Sequence, residues 1–320
     1  MSDEHMLGPN FFVVGAAKAG TTALHRYLGA HPDIYMSPVK EPSYFARELG
    51  ASTAYTQSLD AYLALFRAGQ RSAVRGESSP AYLVDPEAAA RIREFCDEAR
   101  ILIVLRNPLE AIVAVHGEAR KFGLEPKRSV AAALAASDRG RPKLVARNGG
   151  FWTQYRLIVQ YADQVERYRG AFPARQIHIG LYDDLSADTS AFYGEVLDFL
   201  EVDPSFRPTF ARFNPYRGDV RSYLVQRLIM RHATSPETDG RGVARFKRLR
   251  SRVAKWNLVQ RPRPAFEPRL HAELVAALKP DIERLAGLID RDLSAWLTEP
   301  GVAPLGEPGP SDSKPIDPGR

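Results

Sequence analysis

The apolar pattern near the start of the chain changes period within a few residues. Phe11-Phe12-Val13-Val14 is a short, continuous apolar run, the signature of a strand covered on both faces. It gives way to a turn of glycine, alanine and threonine, then to Thr22–Leu28, where apolar residues recur at helical spacing. Ile101-Leu102-Ile103-Val104-Leu105 repeats the continuous signature and is too short for a helix. It stops at Arg106-Asn107-Pro108, with the proline suited to the first turn of a helix. A third run, Gln176–Tyr182, precedes a turn and a helical stretch over Ser190–Leu200. Strands alternating with helices of this length predict an α/β fold with a central, mostly parallel sheet flanked by helices.

Between these units, Phe151–Tyr168 and Leu270–Leu297 read as helix-rich. Trp152, Tyr155 and Tyr161 recur as if on one helix and read as core residues. Polar, glycine-containing stretches at Asp138–Gly150 and Thr234–Gly242 predict mobile loops. The Pro/Gly/Ser-rich segment from Glu299 predicts a disordered tail. The expected organisation is one domain over residues 1–298 and a tail over 299–320.

Composition narrows the classes. With 44% hydrophobic and 26% charged residues, the balance is globular rather than disordered. The single cysteine, Cys96, excludes an intrachain disulfide framework and a Cys-rich zinc site. No apolar run approaches the ~20 residues of a membrane span, and the acidic start does not resemble a signal peptide. A cytoplasmic protein without a membrane span is expected. Seven histidines show no i, i+4 pair and no ligand-like spacing with acids, so no metal is assigned. His116 reads as a packed or surface histidine. There is no Gly-x-Ser-x-Gly elbow.

The formal charge of +6 is unevenly spread: residues 207–269 hold 16 Lys/Arg against four acids, so that segment alone is at +12. An arginine-laced solvated surface explains this, and so does attraction of an anionic ligand. The cations are not interleaved with a regular aromatic series, so nucleic acid is not an expected partner.

The candidate chemistry lies in Gly15-Ala16-Ala17-Lys18-Ala19-Gly20-Thr21-Thr22, between the first strand and the first helix. Amides of such a turn and the positive end of the next helix form an anion cradle. The frame is P-loop-like, but Thr21 stands where a nucleotide-triphosphate loop needs lysine, and the loop's lysine is Lys18. The strand ending at Arg106 supplies no aspartate for magnesium. Both features depart from kinase or ATPase chemistry.

Lys18-Ala19-Gly20-Thr21-Thr22-Ala23-Leu24 resembles the 5′-phosphosulfate loop of the sulfotransferases that use 3′-phosphoadenosine 5′-phosphosulfate (PAPS). Arg106-Asn107-Pro108-Leu109-Glu110 resembles the family's 3′-phosphate motif, where arginine suits the task through its paired, charge-assisted donors. The family's serine eight residues on is here Ala114, which removes one donor. Lys40-Glu41-Pro42-Ser43-Tyr44-Phe45 resembles the Lys/Gln-Glu-x-x-Phe-Phe segment of the glycosaminoglycan-modifying, carboxylate-using branch and its soluble bacterial relatives. Arg75–Tyr82 resembles the Glu-Lys-Ser-Pro-x-Tyr segment of that branch, with Ser78 in place of lysine. Tyr182-Asp183-Asp184-Leu185 resembles a Tyr-Glu-Asp-Leu segment whose tyrosine lies near the adenine. Arg217, in Asn214–Gly218, falls where the family places a basic loop over the nucleotide.

The resemblance implies a P-loop-like fold and transfer of a sulfuryl group from PAPS to a hydroxyl or amine of a small-molecule, saccharide or lipid acceptor, with no metal. It implies that Ala17, Lys18, Ala19, Gly20, Thr21, Thr22, Ala23, Arg106, Tyr182 and Arg217 bind the donor. Lys18 would neutralise charge on the transferring group, and Glu41 would take the acceptor's proton. Glu77 is the alternative base. Two other classes stay open on the residues alone: a P-loop nucleotide kinase or NTPase, and a catalytically silent nucleotide-binding relative.

Overall fold

The computed structural model describes residues 8–47, 58–139, 150–211, 218–231, 250–261 and 266–298. Arg217, the tail over 299–320, and most of the two predicted loops lie outside these residues. Five parallel strands form the central sheet in the order β2-β3-β1-β4-β5. They are β1 (Phe11–Gly15), β2 (Ile34–Met36), β3 (Val74–Ser78), β4 (Arg100–Leu105) and β5 (Ile177–Leu181). β1 is central and wholly buried, and Val13 pairs with Ser78 on one side and Leu102 on the other. Parallel pairing needs a crossover for every step, so both faces are covered and the two central strands, β1 and β4, read as apolar runs.

The strand order carries a functional consequence. From β1 the chain runs towards β2 and β3, whereas from β4 it runs to β5 on the other side. Neighbouring strands β1 and β4 therefore send their connections in opposite directions, which opens a crevice beyond their carboxyl ends. The loop Gly15–Gly20 leaves β1 into that crevice, and Arg106 follows β4 directly.

The helix Thr21–Leu28 starts at Gly20, whose φ of +85° no side chain favours, and no side chain caps its first turn. The helix Pro108–Lys121 is capped by Asn107, whose side chain accepts from the Leu109 amide at 2.9 Å, and carries proline in its first turn. At the far side, Asp281 on the helix Pro268–Ile289 accepts from the amides of Tyr161 and Ala162 and so caps the helix Tyr161–Ala171. A two-stranded antiparallel ribbon, β6 (Asp219–Val220) and β7 (Leu258–Val259), stands apart from the main sheet.

Two expectations change, and two strands had no expectation. The predicted strand over Gln176–Tyr182 ends at Leu181, and Tyr182 opens the helix Tyr182–Ala187. Trp152, Tyr155 and Tyr161 do not share a helix; each lies on its own short segment, with both tyrosines fully buried. β2 and β3 lack an apolar run: β2 has three residues, and β3, VRGES, ends in polar residues that are nevertheless buried.

Candidate active site

Arg106 is the meeting point of the crevice. Its side chain is buried, and Nη1 donates to the Lys18 carbonyl at 2.9 Å. Nε and Nη2 donate to Glu110 Oε2 at 3.1 and 2.6 Å. The guanidinium also lies 4.4 Å from the Tyr182 ring centroid, a stacking arrangement that suits a planar cation. One side chain thus joins the loop after β1, the end of β4 and the start of the helix after β5. Gly20 packs against the same neighbours: a Cβ there would stand 2.7 Å from Leu185 Cδ2 and 3.4 Å from the Tyr182 ring. Asp183 and Asp184 face away, accepting from Trp296 Nε1 at 3.0 Å and pairing with Arg291.

Lys18 has a left-handed backbone, φ 65°, and its ammonium lies 3.3 Å from Glu118 Oε2. Glu118 also faces Lys121 at 3.7 Å. Glu110, Ala114 and Glu118 are spaced four residues apart and form a stripe along one helix. The position of the missing serine, Ala114, thus lies between the carboxylates that hold Arg106 and Lys18. Sequence reading missed Glu118; its spacing from Glu110 was the available signal. In the loop itself, the Ala19 amide bonds to the Ala16 carbonyl at 3.2 Å and that of Ala23 to Gly20 at 2.9 Å. These two predicted donor ligands are engaged within the chain. Ala17 and Thr21 are buried, whereas Thr22 is half-buried.

The two carboxylates considered as the base sit in contrasting surroundings. Glu41 follows β2 with φ 60°; its amide donates to the Ser78 carbonyl at 3.1 Å and its carboxylate is partly exposed and holds Lys40 Nζ at 2.5 Å. Glu77 is fully buried on β3. It accepts from the hydroxyls of Tyr62, of Ser79 at 2.6 Å and of Tyr82 at 2.7 Å. Burial pushes its carboxyl up to about 7, against the opposing pull of those three hydroxyls. Glu77 is out of reach of a substrate unless the surrounding aromatic cluster of Tyr62, Phe45 and Tyr44 opens.

Ser78 ties the sheet to the loop helix. His25 Nε2 lies 3.1 Å from the Ser37 carbonyl, which only accepts, so Nε2 carries the proton and Nδ1 accepts from Ser78 Oγ at 3.1 Å. Burial, helped by the Lys40 charge, lowers the imidazole to about 4, so it is neutral near pH 7. A cavity of about 410 Å³ opens here, lined by Thr22, His25, Arg26, Met36, Ser37 and Lys40 among others. It reaches from the end of the loop to the residue beside Glu41. His116 is packed, with Nε2 at 2.9 Å from the Lys127 carbonyl. Among the described residues no group of three acids, histidines or cysteines is placed to hold a metal ion, and no helix is long and apolar enough to cross a membrane.

Comparison with known proteins follows the same lines. Membrane-associated sulfotransferase kil1 of Dictyostelium discoideum is 22% identical over 296 residues, covering 68% of this chain and 62% of its own length. Heparan sulfate glucosamine 3-O-sulfotransferase 3B1 of Homo sapiens is 25% identical over 210 residues, or 66% of this chain and 50% of that protein. The chain therefore spans between half and two thirds of the length of these curated relatives. The crystal structure of a sulfotransferase from Alicyclobacillus acidocaldarius superposes with a TM-score of 0.67 at 29% identity, covering 91% of this chain and 99% of that one. The Sulfotransferase domain family matches residues 8–220, from just before β1 to the end of β6. With well over half its length inside that match, the chain belongs to the sulfotransferase family.

Proposed function

We propose that the protein transfers a sulfuryl group from PAPS to a hydroxyl or amine of a saccharide, lipid or other small acceptor. The observation that carries this reading is the meeting at Arg106 of the loop after β1 with the ends of β4 and β5. The donor's two anionic ends fit the groups present. Arg106 and Lys18 are cations already facing carboxylates, and the helix after the loop begins without a side-chain cap. Arg217 lies outside the described residues and enters the proposal from its motif alone.

The donor supplies an electrophilic sulfur and a phosphate leaving group. Lys18 offsets negative charge where the sulfonate and the bridging oxygen meet. Thr21, Thr22 and the loop amides orient the 5′-phosphate, and Tyr182 and Arg106 hold the nucleoside end. Glu41 takes the acceptor's proton as its oxygen or nitrogen bonds to sulfur, a role that its exposure favours over Glu77. The cationic lining of the cavity by Arg26 and Lys40 suits an acceptor carrying a carboxylate or sulfate. A magnesium-free reaction and a cytoplasmic setting belong to the same proposal. The lone Cys96, unable to close an intrachain disulfide, agrees with the latter.

The test is transfer of label from ³⁵S-PAPS to a panel of saccharides, lipids and phenols, with and without a chelator. In parallel, thermal shift compares adenosine 3′,5′-bisphosphate with ATP. Glu41→Gln is expected to keep bisphosphate binding and lose turnover. Stabilisation by ATP alone would return the protein to the kinase class, and loss of turnover only in Glu77→Gln would move the base to Glu77.

A further inference from the structure

Apart from Arg217, the basic segment beyond Arg207 has no part in the proposed reaction, and its described part is a built surface. The helices Tyr223–Arg231 and 250–257 are locked together by Asn257, fully buried. Asn257 Nδ2 donates to the Ser222 carbonyl and to Gln226 Oε1, both at 3.0 Å, and Oδ1 accepts from the Ser222 amide at 2.9 Å. The β6–β7 ribbon joins them below. Arg120 anchors the ribbon to the main domain through Asp219 at 2.6 Å. Just beyond the helix Pro108–Lys121, Gly123 lies so close to the helix Tyr223–Arg231 that a Cβ there would stand 2.8 Å from Arg227 Cα.

On the outer side of this unit the usual polarity is reversed. Leu224 and Leu228, one helical turn apart, are 73% and 59% exposed, and Trp256 on the neighbouring helix is 61% exposed. Arg221 bridges the two helices: its Nε donates to the Trp256 carbonyl at 2.9 Å and its guanidinium lies 5.8 Å from the indole centroid. Arg227, Arg252 and Lys255 are exposed around the apolar residues. Leucines and a tryptophan set among cations are the composition of an interfacial membrane surface.

We infer that this two-helix unit docks the protein on an anionic phospholipid bilayer, with Leu224, Leu228 and Trp256 entering the headgroup boundary and the surrounding cations meeting lipid phosphates. A polyanionic saccharide satisfies the cations but leaves the leucines and the indole without a partner. A second copy of the chain would bring Arg221, Arg227, Arg252 and Lys255 against the same four cations. The inference does not depend on the reaction assigned above.

The test uses the full chain and vesicles of phosphatidylcholine with or without about 30% phosphatidylserine. Flotation with the anionic vesicles is expected, together with a blue shift of emission that Trp256→Phe removes. Leu224→Ser/Leu228→Ser, at exposed positions, is expected to lower vesicle partitioning at least about tenfold, while retention on heparin and the thermal midpoint stay unchanged. Partitioning no greater than onto neutral vesicles would overturn the inference. So would vesicle binding indifferent to the double variant, the behaviour of a polyanion patch. A dimer in sedimentation velocity that the double variant dissociates would assign the face to self-association instead.

Discussion

Arg106 and Lys18 each face a carboxylate of the same helix, Glu110 at 2.6 Å and Glu118 at 3.3 Å. An anionic ligand must compete with those partners. Glu118→Gln removes one competitor and one like charge, so affinity for adenosine 3′,5′-bisphosphate should rise about three- to tenfold at low salt and less at high salt, because the pair is partly exposed and screened. Calorimetry at two ionic strengths checks this; unchanged affinity would separate Glu118 from the site. Lys18→Ala should lower turnover by at least about a hundredfold, and near wild-type rates in the labelled-donor assay would remove it from the mechanism. A second pair of residues links stability to pH. Glu77, raised to about 7 by burial, stabilises the fold fully below its unfolded value and loses that contribution as pH rises towards 7. His25, lowered to about 4 by burial and then by Lys40, contributes above its unfolded value and loses stability as pH falls towards 4. The slopes oppose one another between about pH 4.5 and 6.5. Glu77→Gln should therefore leave a net rise of stability with pH across that window, read from urea midpoints; a profile parallel to wild type would contradict the assignment.

At the scale of elements, β1 and β4 were legible because strands covered on both faces are written as unbroken apolar runs, whereas β5, the half-buried edge strand IHIGL, showed only alternating isoleucines between a polar residue and a helix. β2 and β3 were not legible. The end of β3 gives Glu77 and Ser78 to a polar network, which erases the run that would have marked it. The loop, Arg106 and Tyr182 could be read as motifs because each occupies a strand end. Their convergence could not, since it depends on contacts between residues far apart in the chain, such as Arg106 and Lys18, 88 positions apart. The pairing of Lys18 with Glu118 and of His25 with Ser78 was hidden for the same reason. Gly20 was legible as a turn residue, and the structure adds why nothing else fits. Gly20→Ala places a methyl group in a left-handed conformation and 2.7 Å from Leu185. It should cost about 1–3 kcal/mol of stability and weaken bisphosphate binding, seen by denaturant unfolding and calorimetry. Wild-type values in both would show that the loop tolerates the shift.

Across the whole molecule, the main sheet and the two-helix unit are joined at one corner, where Arg120, almost fully buried, reaches Asp219. Removing one partner of a buried ion pair strands the other. Arg120→Met should loosen the ribbon before the main sheet melts, giving new proteolytic cuts within residues 218–231 and 250–261 that the wild type does not show; an unchanged digestion pattern would place the anchor elsewhere. The helix that supplies Arg120 also bears Glu110 and Glu118, and their shared rigid backbone has one more consequence. A nucleotide with two phosphate groups trades places with both carboxylates at once, whereas a monophosphate completes half of the exchange and leaves the other ion pair as it was. On the proposed reading, selection against cellular mononucleotides is set by charge stoichiometry along one rod, before any base or sugar is recognised.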